Sequence, residues 1–404
     1  MLINQSFEID SCDDVELNIK RTSKLEYRIS YDDEKEIKAI VFIIGGYGAN
    51  ANIYFLDSYR NYIAKNFDVV AVHVFYHCFC QRRSDVEKYS AFTMFTKDDV
   101  SNLSQALLEI GVNINVNLEN AQQCYELLNQ NITTLKSQRK LAQNYQAKFT
   151  STFIPPNGDY QNYGIMAAID HINALKDLVK RFPKFADLPK IYGGGSYGGY
   201  LSLLIAKIAP WYVDGVIDNS GSALPPLNYI LGREMEHSYG DYYEDFPHNR
   251  IIFFLKTHWT RKENSPYFFN NENYFIRTLL NKDHLILQSQ KNKNIIYVSY
   301  HSDKDPLTPA NFKQQTMQIL KILGYDVSLN LIDENKIDGK FIKNLDHGCG
   351  IPDKALFRKE LPLMLEKLQK RKSFMQENSI SYPCGNKVFI FKDVGDKFEL
   401  VIKD

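Results

Sequence analysis

The sequence predicts an α/β protein built on a doubly wound, mostly parallel sheet. Short, continuous apolar runs such as 38–44 and 69–75 read as strands covered on both faces, which is how parallel strands between helices look. Residues 164–181, GIMAAIDHINALKDLVKR, carry the 3.6-residue period of an amphipathic helix. The two patterns alternate along the chain, which is the signature of helices laid on both faces of one sheet.

In order, residues 13–45 read as strands: 15–20 and 25–30 alternate, then 38–44 runs apolar into Gly45-Gly46-Tyr47-Gly48. A helix is expected from about Asn52, then a strand over 69–75 and the helix 164–181. Ile191 leads a short strand into GGGSYGGY, and 197–208 continues as an apolar helix. Strands follow at 213–217, 295–300 and 327–332, with helices over 310–323 and 353–372. The tail, 373–404, is expected to form a small hairpin turning at Gly385-Asn386 or Gly395-Asp396.

Two stretches break the alternation. Residues 99–158 occupy a connection that normally takes about 2–6 residues. Leu118, Ala121, Tyr125, Leu128, Ile132 and Leu135 follow alternating three- and four-residue steps, and Ala142 and Phe149 lie on the same track. A helix with such a seam must bury it, on its own body as a helical cap or on a second subunit as a homodimer through 118–149. Residues 222–290, rich in Tyr, Phe and His, form the second break and read as a lid. The expected organisation is therefore 1–98 (N-terminal strands and first part of the core), 99–158 (helical insertion), 159–221 (core with the Gly-rich turn), 222–290 (lid), 291–372 (remaining core) and 373–404 (tail).

Composition narrows the function classes. Over 404 residues, 48 Lys+Arg balance 48 Asp+Glu, and apolar and charged residues make up 44% and 24%. These are globular proportions. Zero net charge gives no electrostatic argument for nucleic acid or an anionic membrane as partner. No apolar stretch approaches the roughly 18 residues of a membrane span, and MLINQSFEIDSCDD has no signal-peptide pattern. Six scattered cysteines, Cys12, Cys78, Cys80, Cys124, Cys349 and Cys384, do not read as a disulfide framework, so a cytoplasmic location is expected.

Gly194-Gly195-Ser196-Tyr197-Gly198 matches G-x-S-x-G between a strand and a helix, the context of a nucleophile elbow. A serine there needs small residues two before and two after it, because the backbone folds sharply. The helix behind it aims N–H groups where negative charge develops in acyl transfer. The partners should follow in the order acid, then histidine. Asp305 lies in His301-Ser302-Asp303-Lys304-Asp305-Pro306-Leu307-Thr308-Pro309, after a sheet strand, and is preferred to Asp303 and then to Asp218 because Asp-Pro-Leu-Thr-Pro is a rigid turn. His347, in Leu345-Asp346-His347-Gly348, follows the last strand and is the expected general base. The oxyanion donors are expected to be the Tyr197 and Tyr47 N–H groups, with the Tyr47 phenol as an optional third contact and Gly46 and Gly48 lining the substrate.

With these motifs the chain resembles an α/β-hydrolase over residues 38–372. GGGSYGGY is similar to the serine motif of the prolyl-oligopeptidase branch, whose Ser, Asp and His correspond to Ser196, Asp305 and His347. Two departures are visible: no propeller precedes the core, and the oxyanion segment begins Gly45-Gly46 where many relatives have His-Gly. More loosely, the whole chain resembles an uncharacterised family of hydrolase-like proteins from epsilon-proteobacteria, often encoded near flagellin glycosylation genes, which implies a glycan acyl group as substrate. The leading expectation is a serine hydrolase acting through an acyl-enzyme on an ester or small acyl substrate, without cofactor. The alternatives are an O-acyltransferase to a sugar hydroxyl, a serine peptidase of prolyl-oligopeptidase type, and a catalytically silent binding protein.

His73-x3-His77-Cys78-x-Cys80 has metal-ligand residue types. It lies on and just after a strand, where neighbouring side chains point to opposite faces, so no metal site is expected.

Overall fold

A computed structural model describes residues 1–48, 52–235, 240–369, 371, 373 and 376–404. Its centre is an eight-stranded sheet. Across it run Leu2–Asp10, Lys24–Asp32, Val70–Phe75, Ile40–Ile43, Lys190–Gly195, Gly215–Asn219, Ile296–Ser302 and Asp326–Ile332. Only Lys24–Asp32 runs against the others. This strand order and polarity are those of the α/β-hydrolase fold.

Alternation along the strands divides the core into two layers. From Ile40–Ile43, Ile40 and Phe42 face one layer, while Val41 and Ile43 face the other. The first layer is covered by the helices Ile165–Arg181, Tyr197–Ile208, Lys282–Lys291 and Ala310–Ile322; the second by Ile53–Phe67 and Asp353–Leu368. Asn52 caps Ile53–Phe67, its side chain accepting from the Phe55 N–H at 3.0 Å, a favoured residue at that position. Among the described residues no helix is long and apolar enough to cross a membrane.

The structure corrects several expectations. Residues 15–20 are not a strand but a turn closed by the Asp14–Ile19 bridge. The true first strand, Leu2–Asp10, alternates too weakly to be read, since it is a sheet edge with many exposed positions. The helix expected over 353–372 ends at Leu368, and positions 370 and 372 lie outside the described residues. The tail forms three antiparallel strands, Ser379–Cys384, Lys387–Val394 and Lys397–Lys403, turning at both expected sites. Their Phe389, Phe391 and Phe398 join the main core.

The insertion 99–158 contains the helices Lys97–Glu109 and Ala121–Ser137 and also a strand, Ala147–Ile154. The seam stops at Ser137: Arg139 takes a left-handed φ of 57°, so Ala142 and Phe149 are not on the helix. Ala147–Ile154 pairs in parallel with Asn249–Leu255 of the second insertion, completing a four-stranded sheet with Phe92–Met94 and Tyr242–Asp245. The two insertions are thus one structure. Ala121, Leu128 and Ile132 are buried against Phe149, Phe153 and Phe253 of this sheet. Ala121, Leu128 and Ile132 of the seam thus pack on the chain's own body, while Tyr125 and Leu135 are half-buried and Leu118 is exposed.

Candidate active site

The strand Lys190–Gly195 and the helix Tyr197–Ile208 meet at Ser196, whose φ of 55° and ψ of −118° lie where residues with a Cβ are strained. The turn is held by the Ser196 N–H, which donates to the Asn219 carbonyl at 2.7 Å. The flanking glycines have a steric reason. A Cβ on Gly194 would lie 1.9 Å from the Ile44 carbonyl oxygen, and one on Gly198 would lie 2.0 Å from the same atom. The chain doubles back so closely on the neighbouring strand that no side chain fits at either place.

His347 and Asp305 come to Ser196 from the loops after the last two strands. His347 Nε2 lies 2.7 Å from Ser196 Oγ, and His347 Nδ1 lies 2.8 Å from Asp305 Oδ2. An ionised carboxylate only accepts, so Nδ1–H donates to Asp305 and the neutral ring leaves Nε2 to accept from the serine hydroxyl. Burial alone would raise the Asp305 carboxyl, but hydrogen bonds from His347 and Thr308 outweigh it and hold the group at about 2. Asp305 Oδ1 accepts from the Leu307 and Thr308 N–H groups at 2.9 and 3.0 Å. The Thr308 hydroxyl donates to Oδ2 at 2.8 Å. The loop of His347 is pinned in turn: the Gly348 N–H donates to Ser220 Oγ at 3.1 Å and Asn219 Nδ2 donates to the Gly348 carbonyl at 2.9 Å.

The two other acids weighed from sequence are elsewhere. Asp303 is exposed at the surface. Asp218 is buried under the sheet end, where it pairs with Lys313 Nζ at 2.6 Å and accepts from Ser299 Oγ and the Gly221 N–H. His73 is a buried core residue edge-on to Tyr59, pushed down to about 3, chiefly by burial. His77 Nδ1 lies 3.3 Å from Asp159. The cysteines are all free. Among the described residues no group of three or more His, Cys, Asp or Glu converges on a metal position.

Gly46 lies against the elbow, its ideal Cβ 3.5 Å from that of Ser196. The Tyr197 N–H, at the first helical position, has no intrahelical acceptor. The Tyr47 phenol is not free for a third contact: it donates to Asp241 Oδ1 at 2.8 Å and its ring stacks on Tyr229 at 4.5 Å. The Gly48 N–H is also engaged, donating to Gln81 Oε1 at 3.0 Å, so Gly48 offers substrate no donor.

Ser196 and His347 open into a cavity of about 190 Å³ walled by tyrosines, among them Tyr47, Tyr163 and Tyr229. Ser222, Pro226, Tyr229 and Asp241 of the second insertion line it. The helices of the first insertion stand one layer back, behind the sheet whose edge carries Asp241. Sequence reading missed Arg82, Asp241, Tyr163 and Thr308 as site residues. Thr308 could have been found, since it completes the rigid turn around Asp305; the others sit in loops with no periodic or motif signal.

Burial pushes the Asp241 carboxyl up to about 6, against hydrogen bonds from the Leu255 N–H and the Tyr47 hydroxyl that pull it down. The folded value lies above the ordinary aspartate value of about 3.9. The stability linked to this proton is therefore complete below about pH 4 and is lost as pH rises through about 6. Denaturant titrations of wild type and Asp241→Asn should diverge across that window, with wild type losing about 1–3 kcal/mol relative to the variant. A constant difference from pH 4 to 7 would show that Asp241 titrates as an ordinary carboxylate.

Residues 5–402 match a family model described as a protein of unknown function, DUF2920. No curated protein matches the chain. Among solved structures, the uncomplexed acylaminoacyl peptidase of Pyrococcus horikoshii is 14% identical with a TM-score of 0.45, over 93% of this chain and 43% of that one. Esterases of Rhizomucor miehei are 12% identical with a TM-score of 0.44, over 92% of this chain and 84% of theirs. The chain thus spans less than half the length of the peptidase. The fold assignment stands on the chain's own strand order.

Proposed function

The chain belongs to the DUF2920 family, described only as of unknown function, and from its site we propose that it is a serine hydrolase that cleaves small esters through an acyl-enzyme. The observation that carries this reading is the unbroken chain from Ser196 Oγ through His347 to Asp305, with both links under 3 Å, set on a strained elbow. As Ser196 Oγ attacks the substrate carbonyl carbon, its proton passes to His347 Nε2. The carbonyl π pair moves to oxygen, where the Tyr197 and Tyr47 N–H groups receive it. The tetrahedral intermediate collapses, the ester C–O bond breaks, and His347 returns the proton to the leaving alkoxide. Water, deprotonated by the same Nε2, then attacks the acyl-enzyme and releases the acid and Ser196. Asp305, ionised throughout, fixes the ring tautomer and stabilises the imidazolium.

A cavity of about 190 Å³ is below the roughly 300–1,000 Å³ of sites for drug-sized ligands, which favours a short acyl group; an acetyl group on a glycan fits this scale. The tyrosine wall contributed in part by the lid supplies faces for stacking and excludes water from the acyl-enzyme.

A fluorophosphonate probe tests the reading, because it reports an activated serine without knowledge of the substrate. Wild type should be labelled on Ser196 alone and should hydrolyse 4-nitrophenyl acetate, and Ser196→Ala should lose both. An unlabelled wild type, or labelling that persists in the variant, would remove the mechanism.

A further inference from the structure

Arg82 is out of keeping with the other arginines. Arg21, Arg28, Arg60, Arg83, Arg181, Arg233, Arg250 and Arg277 each face a carboxylate, and Arg371 donates to the Asn294 carbonyl. Arg139, Arg261 and Arg358 are exposed to water. Among the described residues, Arg82 is the one arginine out of full contact with water whose guanidinium meets no protein acceptor. It lines the same cavity as Ser196 and His347.

The guanidinium is nevertheless held in place. It lies over the Tyr242 ring at 4.6 Å, and its Nε would be only 2.9 Å from a Cβ on Gly48, so it rests directly on the oxyanion-loop backbone. Stacking on an aromatic face fixes the plane of an arginine without using its N–H groups. No ion pair joins it to the acid in the cavity wall, Asp241, whose two oxygens are turned to the Tyr47 hydroxyl and the Leu255 N–H. What results is a partly desolvated, pre-oriented fork of donors beside the nucleophile, with its acceptors missing. A planar fork of this kind matches a carboxylate in bidentate geometry. A phosphate dianion would be less well matched, since among the described residues Arg82 is the only Lys or Arg in the cavity lining.

We propose that Arg82 is a specificity-determining residue that binds a carboxylate on the substrate, so that the site acts on esters carrying a free carboxylate close to the scissile carbonyl. This rests on the proposed acyl-enzyme site but makes a claim that can fail by itself. A second cavity of about 210 Å³ shares Ser222, Pro226, Leu307 and Thr308 with this one and adds apolar lining from Leu224, Pro225 and Phe312.

Matched ester pairs test this. Mono-4-nitrophenyl glutarate against 4-nitrophenyl valerate places the charge on the acyl side; 4-acetoxybenzoate against phenyl acetate places it on the leaving group. In one pair the carboxylate should raise kcat/KM about 10- to 100-fold, mainly through KM, the scale of a charged hydrogen-bonded contact. Which pair responds identifies the side on which the carboxylate sits. Arg82→Gln should bring that ratio near one and Arg82→Lys should restore part of it. The independent arm is calorimetry with glutarate: wild type should bind it and Arg82→Gln should bind about tenfold or more weakly. No charge preference in either pair, a preference that survives Arg82→Gln, or equal glutarate binding by both proteins would overturn the assignment. If fluorophosphonate labelling also fails, the hydrolase reading falls with it; if labelling succeeds, only the carboxylate site falls.

Discussion

His347→Ala should lower kcat for 4-nitrophenyl acetate by about a millionfold, and Asp305→Asn by about ten-thousandfold, the scales seen when triads of this geometry lose their base or their orienting acid. KM should change little, because neither side chain is needed to hold the ester. The two losses differ for a physical reason. Without His347, Ser196 loses the acceptor that stands 2.7 Å from its Oγ. In the Asp305→Asn variant the imidazole remains, but the new amide can offer an N–H to Nδ1 and so stabilise the wrong tautomer. The double variant should be no worse than His347→Ala, since the residues act as one unit. Steady-state kinetics on all three proteins check this; additive losses would mean that Asp305 acts on something other than His347.

Gly194→Ala and Gly198→Ala should each destabilise the fold by more than about 4 kcal/mol, enough in most domains to prevent accumulation of native protein. The new methyl group would meet the Ile44 carbonyl oxygen at 1.9 or 2.0 Å. That oxygen belongs to a backbone fixed by the Ile44 N–H bond to the Gly193 carbonyl at 2.9 Å, so it cannot move without parting two central strands. Gly111→Ala is the contrast. Gly111 has a φ of 81° with nothing within 4 Å of its ideal Cβ, so only the left-handed backbone is penalised, by about 1–2 kcal/mol. Denaturant unfolding of the three variants separates close approach from backbone strain. Near-native stability of Gly194→Ala would mean that the elbow does not sit against the Ile44 strand end.

Much of the site was legible because its signals are local. G-x-S-x-G and Asp-Pro-Leu-Thr-Pro follow a strand within a few residues, Asp-His-Gly lies on the longer connection after the strand that ends at Ile332, and strand ends on one side of a parallel sheet are brought together by the fold itself. Order along the chain therefore predicted neighbourhood in space for Ser196, Asp305 and His347. The same reasoning placed the helices 164–181 and 197–208 closely, because their apolar periods are long and uninterrupted.

The sequence by itself determined the alternation of strands and helices, the elbow with its two obligatory small residues, and the chemical types arranged after the last two parallel strands. Only the tertiary structure decided the rest. The pairing of Ala147–Ile154 with Asn249–Leu255 joins residues about a hundred positions apart, and no local period announces such a partner. The seam of Ala121–Ser137 has the same pattern whether it faces a sheet or a second copy, and only the packed molecule shows Ala121, Leu128 and Ile132 against the sheet. Arg82 and Asp241 entered the cavity for a similar reason. Each lies in a loop whose direction is set by what packs behind it, Tyr242 and Gly48 for the first, Tyr47 and Leu255 for the second. Charge and polarity are written in the residues, but which charge is left without a partner is a property of the packed molecule.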